Sequence, residues 1–249
     1  MKMFPKQLII KALRSIGYEL KKIQGPAPEP QAPTPEPFDP WMWVRETQQI
    51  RTVIDIGANT GEFAAYLSSY FQARATYAFE PLNSCRTVLG DKAAHIPNFH
   101  VFNLALSDHS TEEPLYENSY APSSSLLHVS ERHKTEFPGT DKETPATVQV
   151  RPLDELLDSR ALEKNILIKI DVQGVEDRVI RGGRKIFAAT QCVLIEMSFE
   201  PLYERQASFE EVHALLVELG FRFAGFKNQQ LSSRSCQPLQ AHCFYIRAA

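Results

Sequence analysis

From Trp41 onward short apolar runs alternate with helical patterns, and few folds accommodate that alternation. "TVIDIG", "ATYAFE", "FHVFNLAL", "ILIKIDV" and "CVLIEMS" are brief and rich in β-branched or aromatic residues. "EFAAYLSSYF", "VEDRVIRGGRKIF" and "FEEVHALLVELG" separate several of them. Strands and helices in that order give a parallel sheet with helices on both faces. Near-continuous apolar strands are those buried on both sides. The end of the chain, "FRFAGF" followed by "HCFYIR", reads as a terminal antiparallel strand pair closing one edge. Residues 107–150 break the rhythm. They are polar, with two weak strand patterns around Leu115 and Val148, and read as an insertion near the site.

Two segments precede this domain of residues 41–249. Residues 25–40, "GPAPEPQAPTPEPFDP", hold seven prolines in sixteen positions and exclude helix or central strand. They read as a semi-extended linker. In residues 1–24, Ile9, Leu13, Ile16, Leu20 and Ile23 recur at helical spacing, opposite Lys11, Arg14, Lys21 and Lys22. A basic amphipathic helix of this kind suits either an anionic membrane surface or a protein face. No apolar run reaches the roughly 18 residues of a membrane span. The four cysteines show no metal spacing, which fits a reducing compartment. The expectation is therefore cytoplasmic, with peripheral contact at the inner face of the membrane through residues 1–24. A net charge of −3 gives no reason to expect nucleic acid as a partner.

The loop after the first strand narrows the chemistry. In open α/β sheets ligands bind beyond the carboxyl ends of the strands. Here Gly57-Ala58-Asn59-Thr60-Gly61 joins strand to helix and offers backbone groups at a helix N-terminus. A dinucleotide needs a middle glycine at the pyrophosphate, and this loop has none. Asp55, at the strand end, would repel a diphosphate and accept a hydrogen bond from an ammonium group. S-adenosylmethionine carries an ammonium, a carboxylate and a sulfonium together. Glu80 ends the second strand nineteen residues past Gly61, where a carboxylate can take both hydroxyls of a ribose.

"VIDIGANTGEF", "YAFEP", "NLALSD", "LDELL", "ILIKIDVQGVEDRVIRGG" and "VLIEMSFEPLY" together resemble the FkbM family of S-adenosylmethionine-dependent methyltransferases. The likeness runs from about Thr52 to Phe226 in the family's order. It implies a Rossmann-like class I methyltransferase sandwich with a mostly parallel seven-stranded sheet. It also implies O-methylation of a hydroxyl on a sugar, glycan precursor or similar metabolite. By resemblance Asp55, Gly57, Asn59 and Gly61 line the methionine end of the cofactor and Glu80 holds the ribose. Ala105 and Leu106 bring backbone groups to the adenine, with Asp108 close by. The family commonly has a glutamate where this chain has Gln173.

Methyl transfer to a hydroxyl needs close positioning and a place for the proton. Asp171, ending "ILIKID", is the first candidate base; its alternative is a cap or a partner of Lys169, which shares its strand face. Lys169 could orient the acceptor. Glu196, at a neighbouring strand mouth, could join Asp171 around a divalent cation, although no histidine motif argues for metal and no metal ligand is assigned. Glu176, in a first helical turn, suits the dipole there. His128 and His133 lie in the insertion, and His128 is a second candidate base. Trp41, Trp43 and Tyr120 could stack on a sugar, or the tryptophans could anchor the linker in the core. Two other readings compete with methyl transfer: a nucleotide-sugar oxidoreductase and a non-catalytic cofactor-binding scaffold.

Overall fold

The protein is described by a computed structural model over residues 40–248. The chain divides into units 1–38 and 39–249. The expected helix at 1–24 and nearly all of the proline-rich linker lie outside the described residues.

Seven strands form the main sheet, in the order β3-β2-β1-β7-β8-β10-β9. They are β1 (Thr52–Ile56), β2 (Ala75–Phe79), β3 (Phe99–Phe102), β7 (Ile166–Ile170), β8 (Thr190–Ser198), β9 (Phe221–Leu231) and β10 (Pro238–Arg247). β10 runs antiparallel to both β8 and β9, while the pairs from β3 to β8 are parallel. β1 and β7, "TVIDI" and "ILIKI", are buried at every position, as continuous apolar strands at a sheet centre should be. The chain proceeds outward from β1 in one direction and from β7 in the other. Their shared end is the topological switch point.

Helices cover the sheet. α1 (Pro40–Gln48) brings Trp41 against Phe63, Phe71 and Phe244 with edge-on ring contacts. Trp41 is thus a core residue, and Tyr120 is 60% exposed. α2 (Glu62–Phe71) and α3 (Arg86–His95) follow β1 and β2. α8 (Phe209–Glu218) starts at a Ser208 capping box, with the hydroxyl and Glu211 satisfying each other's backbone N–H.

Residues 105–151 hold a second sheet, ordered β4-β6-β5, from β4 (Ala105–Leu106), β5 (Thr111–Asn118) and β6 (Glu143–Arg151). The weak patterns around Leu115 and Val148 are thus full strands, paired antiparallel. Short α4 (Glu131–Glu136) lies between them, capped by the Ser130 side chain. The run "FHVFNLAL" is two strands, β3 and β4, in different sheets. "VEDRVIRGGRKIF" is likewise two helices, α6 (Glu176–Gly182) and α7 (Arg184–Ala189), broken at Gly183. A four-residue α5 (Leu153–Leu156) follows β6.

Candidate active site

A cavity of about 330 Å³ opens at the switch point. That lies within the range of small-molecule sites, ~300–1,000 Å³. The β1 loop, the ends of β2 and β7, β4 and the inserted sheet all contribute to its wall.

The β1 turn is fastened to β7. Asp171 N donates to Ile56 O at 3.0 Å, and Lys169 Nζ donates to Gly57 O at 2.9 Å. Gly57 has φ +77°, and a Cβ there would sit 1.9 Å from Asp171 O. Gly61, φ +74°, is needed for a different reason: a Cβ would press on Leu89 at 2.6 Å. Gly61 therefore permits α2 to pack on α3 and does not itself line the cavity.

Asp55 is placed differently from the expectation. Its carboxylate is fully buried behind the turn, outside the cavity wall, with Lys169 Nζ 3.1 Å away. Asp55 and Lys169 are cross-strand neighbours in the β1–β7 register, so the pair forms as the strands pair. Burial pushes the Asp55 carboxyl up, and the Lys169 ammonium opposes that. Burial also works against the charge on Lys169, but Asp55 and then Asp171 outweigh it and hold the ammonium protonated. The acid serves to fix Lys169, whose ammonium also lies 5.9 Å from the Phe63 ring centre.

Gly57, Asn59, Glu80, Ala105, Leu106, Lys169 and Asp171 do line the cavity. Glu80 Oε2 accepts from Asn59 N at 2.7 Å and Oε1 from Leu82 N at 2.8 Å. Burial raises this carboxyl, and those two backbone donors counter it. Each oxygen keeps a lone pair for a further donor. Phe79, Leu82, Ala105 and Leu106 give the same region apolar walls. A carboxylate at the end of an apolar slot suits a nucleoside, with hydroxyls on the acid and a base between aliphatic faces. The residues present therefore fit the adenosyl half of S-adenosylmethionine. Asp108 lies outside the wall, hydrogen-bonded to His109 Nδ1 at 2.7 Å.

At the other end, past β7, Gln173 holds positive φ, 60°, a rare conformation for a residue with a side chain. Its Nε2 donates to Asp171 Oδ1, and to Glu196 Oε2 at 2.7 Å. Tyr203 OH donates to Gln173 Oε1 at 2.8 Å and fixes the amide that way round. The buried imidazole of His133 lies beside the same hydroxyl, 3.4 Å away. Ser125 Oγ donates to the Gln173 carbonyl at 2.6 Å and ties the insertion over the site. Leu115, Ser125 and Leu126 thereby close one side of the cavity. Burial, with the Asp171 charge second, raises Glu196 well above the usual carboxylate range.

His128 does not join this group. Its Nδ1 lies 2.8 Å from Glu143 Oε2, its ring packs on Tyr116, and it is absent from the cavity wall. The insertion turns it outward. His242, on β10, does line the cavity and faces Glu196 across the β8–β10 pairing. Asp171, Glu196 and His242 bring potential ligand atoms within 4.8 Å of one another. A cation fits that group poorly. Gln173 Nε2 already donates to both carboxylates, and Lys169 Nζ is 3.6 Å from Asp171. Tyr203 ends the run "VLIEMSFEPLY" but drew no role from it, and His242 lies in no such run; only antiparallel pairing of β10 with β8 could have pointed to His242.

A family model described as the methyltransferase FkbM domain matches residues 55–223. The 2-O-methyltransferase NoeI of Sinorhizobium fredii is 25% identical over 170 residues, covering 66% of this chain and 70% of that protein. Methyltransferase sdnD of Sordaria araneosa is 25% identical over 193 residues, covering 68% and 73%. Among solved structures, Sp1610 of Streptococcus pneumoniae bound to S-adenosyl-L-methionine superposes at TM-score 0.47 and 9% identity, covering 84% of this chain and 72% of that one.

Proposed function

The chain belongs to the FkbM methyltransferase family, and from that premise we propose that it transfers a methyl group to a hydroxyl of a sugar, glycan precursor or similar small metabolite. It is an S-adenosylmethionine-dependent methyltransferase. The observation that carries the finer reading is the two-ended cavity. One end is the apolar slot capped by Glu80; the other is Lys169, Asp171 and His242, all polar and all on its wall. The 2-O-methyltransferase activity named for NoeI supports a hydroxyl acceptor.

S-adenosylmethionine supplies an electrophilic methyl on a sulfonium. Asn59, Glu80, Ala105 and Leu106 would hold its adenosyl portion. This chain's own work is positioning, which contributes roughly 7–11 kcal/mol in well-oriented reactions. Asp171 accepts a hydrogen bond from a hydroxyl beside the reacting one and so aims the acceptor. Lys169, held in place by Asp55, lies 3.6 Å from Asp171 and steadies it. Leu115 and Leu126 exclude water from the same space. A sugar presents several hydroxyls, and a wall of carboxylate, imidazole and ammonium can engage neighbouring ones.

Incubation with methyl-labelled S-adenosylmethionine and a lysate of the native cells tests the reading. The labelled product is expected to carry a methyl ether stable to mild base. Label in a base-labile ester or in an amine would refute hydroxyl transfer.

A further inference from the structure

We propose that His242 is the catalytic base of this site: its Nε2 takes the proton of the acceptor hydroxyl, and the Asp171 carboxylate stabilises the imidazolium that forms. This inference rests on the O-methyl transfer reading above. Asp171, the acid the sequence offers for the role, is poorly free to act. Gln173 Nε2 occupies one of its oxygens, and Lys169 Nζ stands 3.6 Å from the other. His128 faces away. His242 lines the cavity, and its ring is about a quarter exposed.

The surroundings of His242 fit a proton acceptor. Nε2 lies 3.8 Å from Glu196 Oε1, beyond hydrogen-bond reach, so that acid does not occupy its lone pair. Asn228 Nδ2 lies 3.4 Å from Nδ1, and the planar amide presents its oxygen at the same place when turned over. With its oxygen turned toward an Nδ1–H, that amide would leave the Nε2 lone pair for the acceptor. Glu196 is itself fixed by two amides, Gln173 on Oε2 and Gln240 on Oε1 at 3.0 Å. A hydroxyl lodged among Asp171, Glu196 and His242 has three acceptors within 4.8 Å of one another. The step balances. The O–H proton passes to Nε2 while the oxygen lone pair forms the new C–O bond. The methyl's C–S bond breaks, and its electron pair leaves on the sulfur of the donor.

Titratable groups surround the ring from three strands: Lys169 on β7 with Asp171 just past its end, Glu196 on β8, and Lys227, its register partner, on β9. Burial pushes the imidazole below the ordinary histidine value, Lys169 adds to that, and Asp171 opposes it. The neutral ring, the form able to accept a proton, is thereby favoured. As pH falls through its pKa, turnover should decline.

The test uses the full chain, labelled S-adenosylmethionine and a carbohydrate extract of the native cells, with kcat followed from pH 5 to 9. S-adenosylhomocysteine binding and the His242 ring resonances are measured alongside. His242→Asn is expected to lower kcat about 10²–10³-fold, to abolish the acid limb, and to leave S-adenosylhomocysteine affinity within about twofold. Asp171→Asn should move the ring's own titration to lower pH, a shift that a merely structural role would not produce. Wild-type kcat with the acid limb intact in His242→Asn overturns the proposal. So does an unmoved ring titration in Asp171→Asn, or turnover lost to EDTA and restored by Mg²⁺. No transfer to any hydroxyl by the wild-type protein refutes the underlying O-methylation, and the base with it.

Discussion

Asp55 shows how far a side chain's place in the fold can differ from its place in the sequence. In sequence it is an acid at a strand mouth, available to an ammonium; in the fold it is sealed behind the Gly57 turn beside Lys169. Only the parallel register of β1 on β7, 114 residues apart in the chain at Asp55 and Lys169, joins the two. Removing one partner of a buried ion pair leaves the other uncompensated, at about 3–5 kcal/mol. Asp55→Asn should therefore lower the urea midpoint with an unchanged m-value, and an unmoved midpoint would contradict the pairing. Glu176 gives a pH signature. Buried in the first turn of α6, with Gly174 N donating to Oε1 at 3.0 Å, its carboxyl is pushed up to about 7 by burial. The folded protein thus favours the neutral acid. The stability this gives is complete below the ordinary glutamate pKa and is lost as pH rises through about 7. Glu176→Gln keeps the acceptor oxygen for Gly174, so it should shrink the fall in unfolding free energy between pH 5 and 8.5 by on the order of 2–3 kcal/mol. Chemical denaturation at both values checks it.

At the scale of elements, the parallel strands and their helices were legible because burial on both faces writes continuous apolar runs. The breaks within runs were not. "FHVFNLAL" holds no glycine or proline, yet the Asn103 side chain donates to Glu80 O at 2.9 Å and helps turn the chain from β3 into β4. That partner is distant in sequence. The Gly57 turn was legible as tight, but the reason for its tightness, the Asp171 carbonyl 1.9 Å from a would-be Cβ, belongs to a neighbouring strand. Gly57→Ala must displace backbone on one side, so S-adenosylhomocysteine affinity should fall at least about tenfold by calorimetry, at roughly 1.4 kcal/mol per decade. The Tyr203 contact joins the loop after β8 to the loop after β7. Tyr203→Phe removes the donor that orients Gln173 and should destabilise the fold by about 1–3 kcal/mol. It should also lower kcat while leaving S-adenosylhomocysteine binding intact. Equal losses in both kcat and binding would show that Tyr203 serves the whole cavity, not its acceptor end.

On the scale of the whole molecule, family and fold were legible because six motifs fall in order along the chain and the strand order follows from them. That Asp55, unlike Glu80 and Asp171, lies off the cavity wall was not legible, since that depends on side-chain direction at a switch point between strands far apart in sequence. Among the described residues no helix is long and apolar enough to cross a membrane. For residues 1–24, whose basic amphipathic pattern suits an anionic surface, deletion is expected to abolish sedimentation with anionic vesicles and to leave cofactor binding unchanged. Retained sedimentation would remove that segment from any membrane role. The account as a whole depends on what the cavity between the Gly57 turn and Glu80 holds. Calorimetric titration of the full chain with S-adenosylhomocysteine and, separately, with NADH tests this most directly. The account predicts one-to-one binding of S-adenosylhomocysteine, weakened by Glu80→Gln, and no heat from NADH. Saturable NADH binding with none for S-adenosylhomocysteine would contradict it.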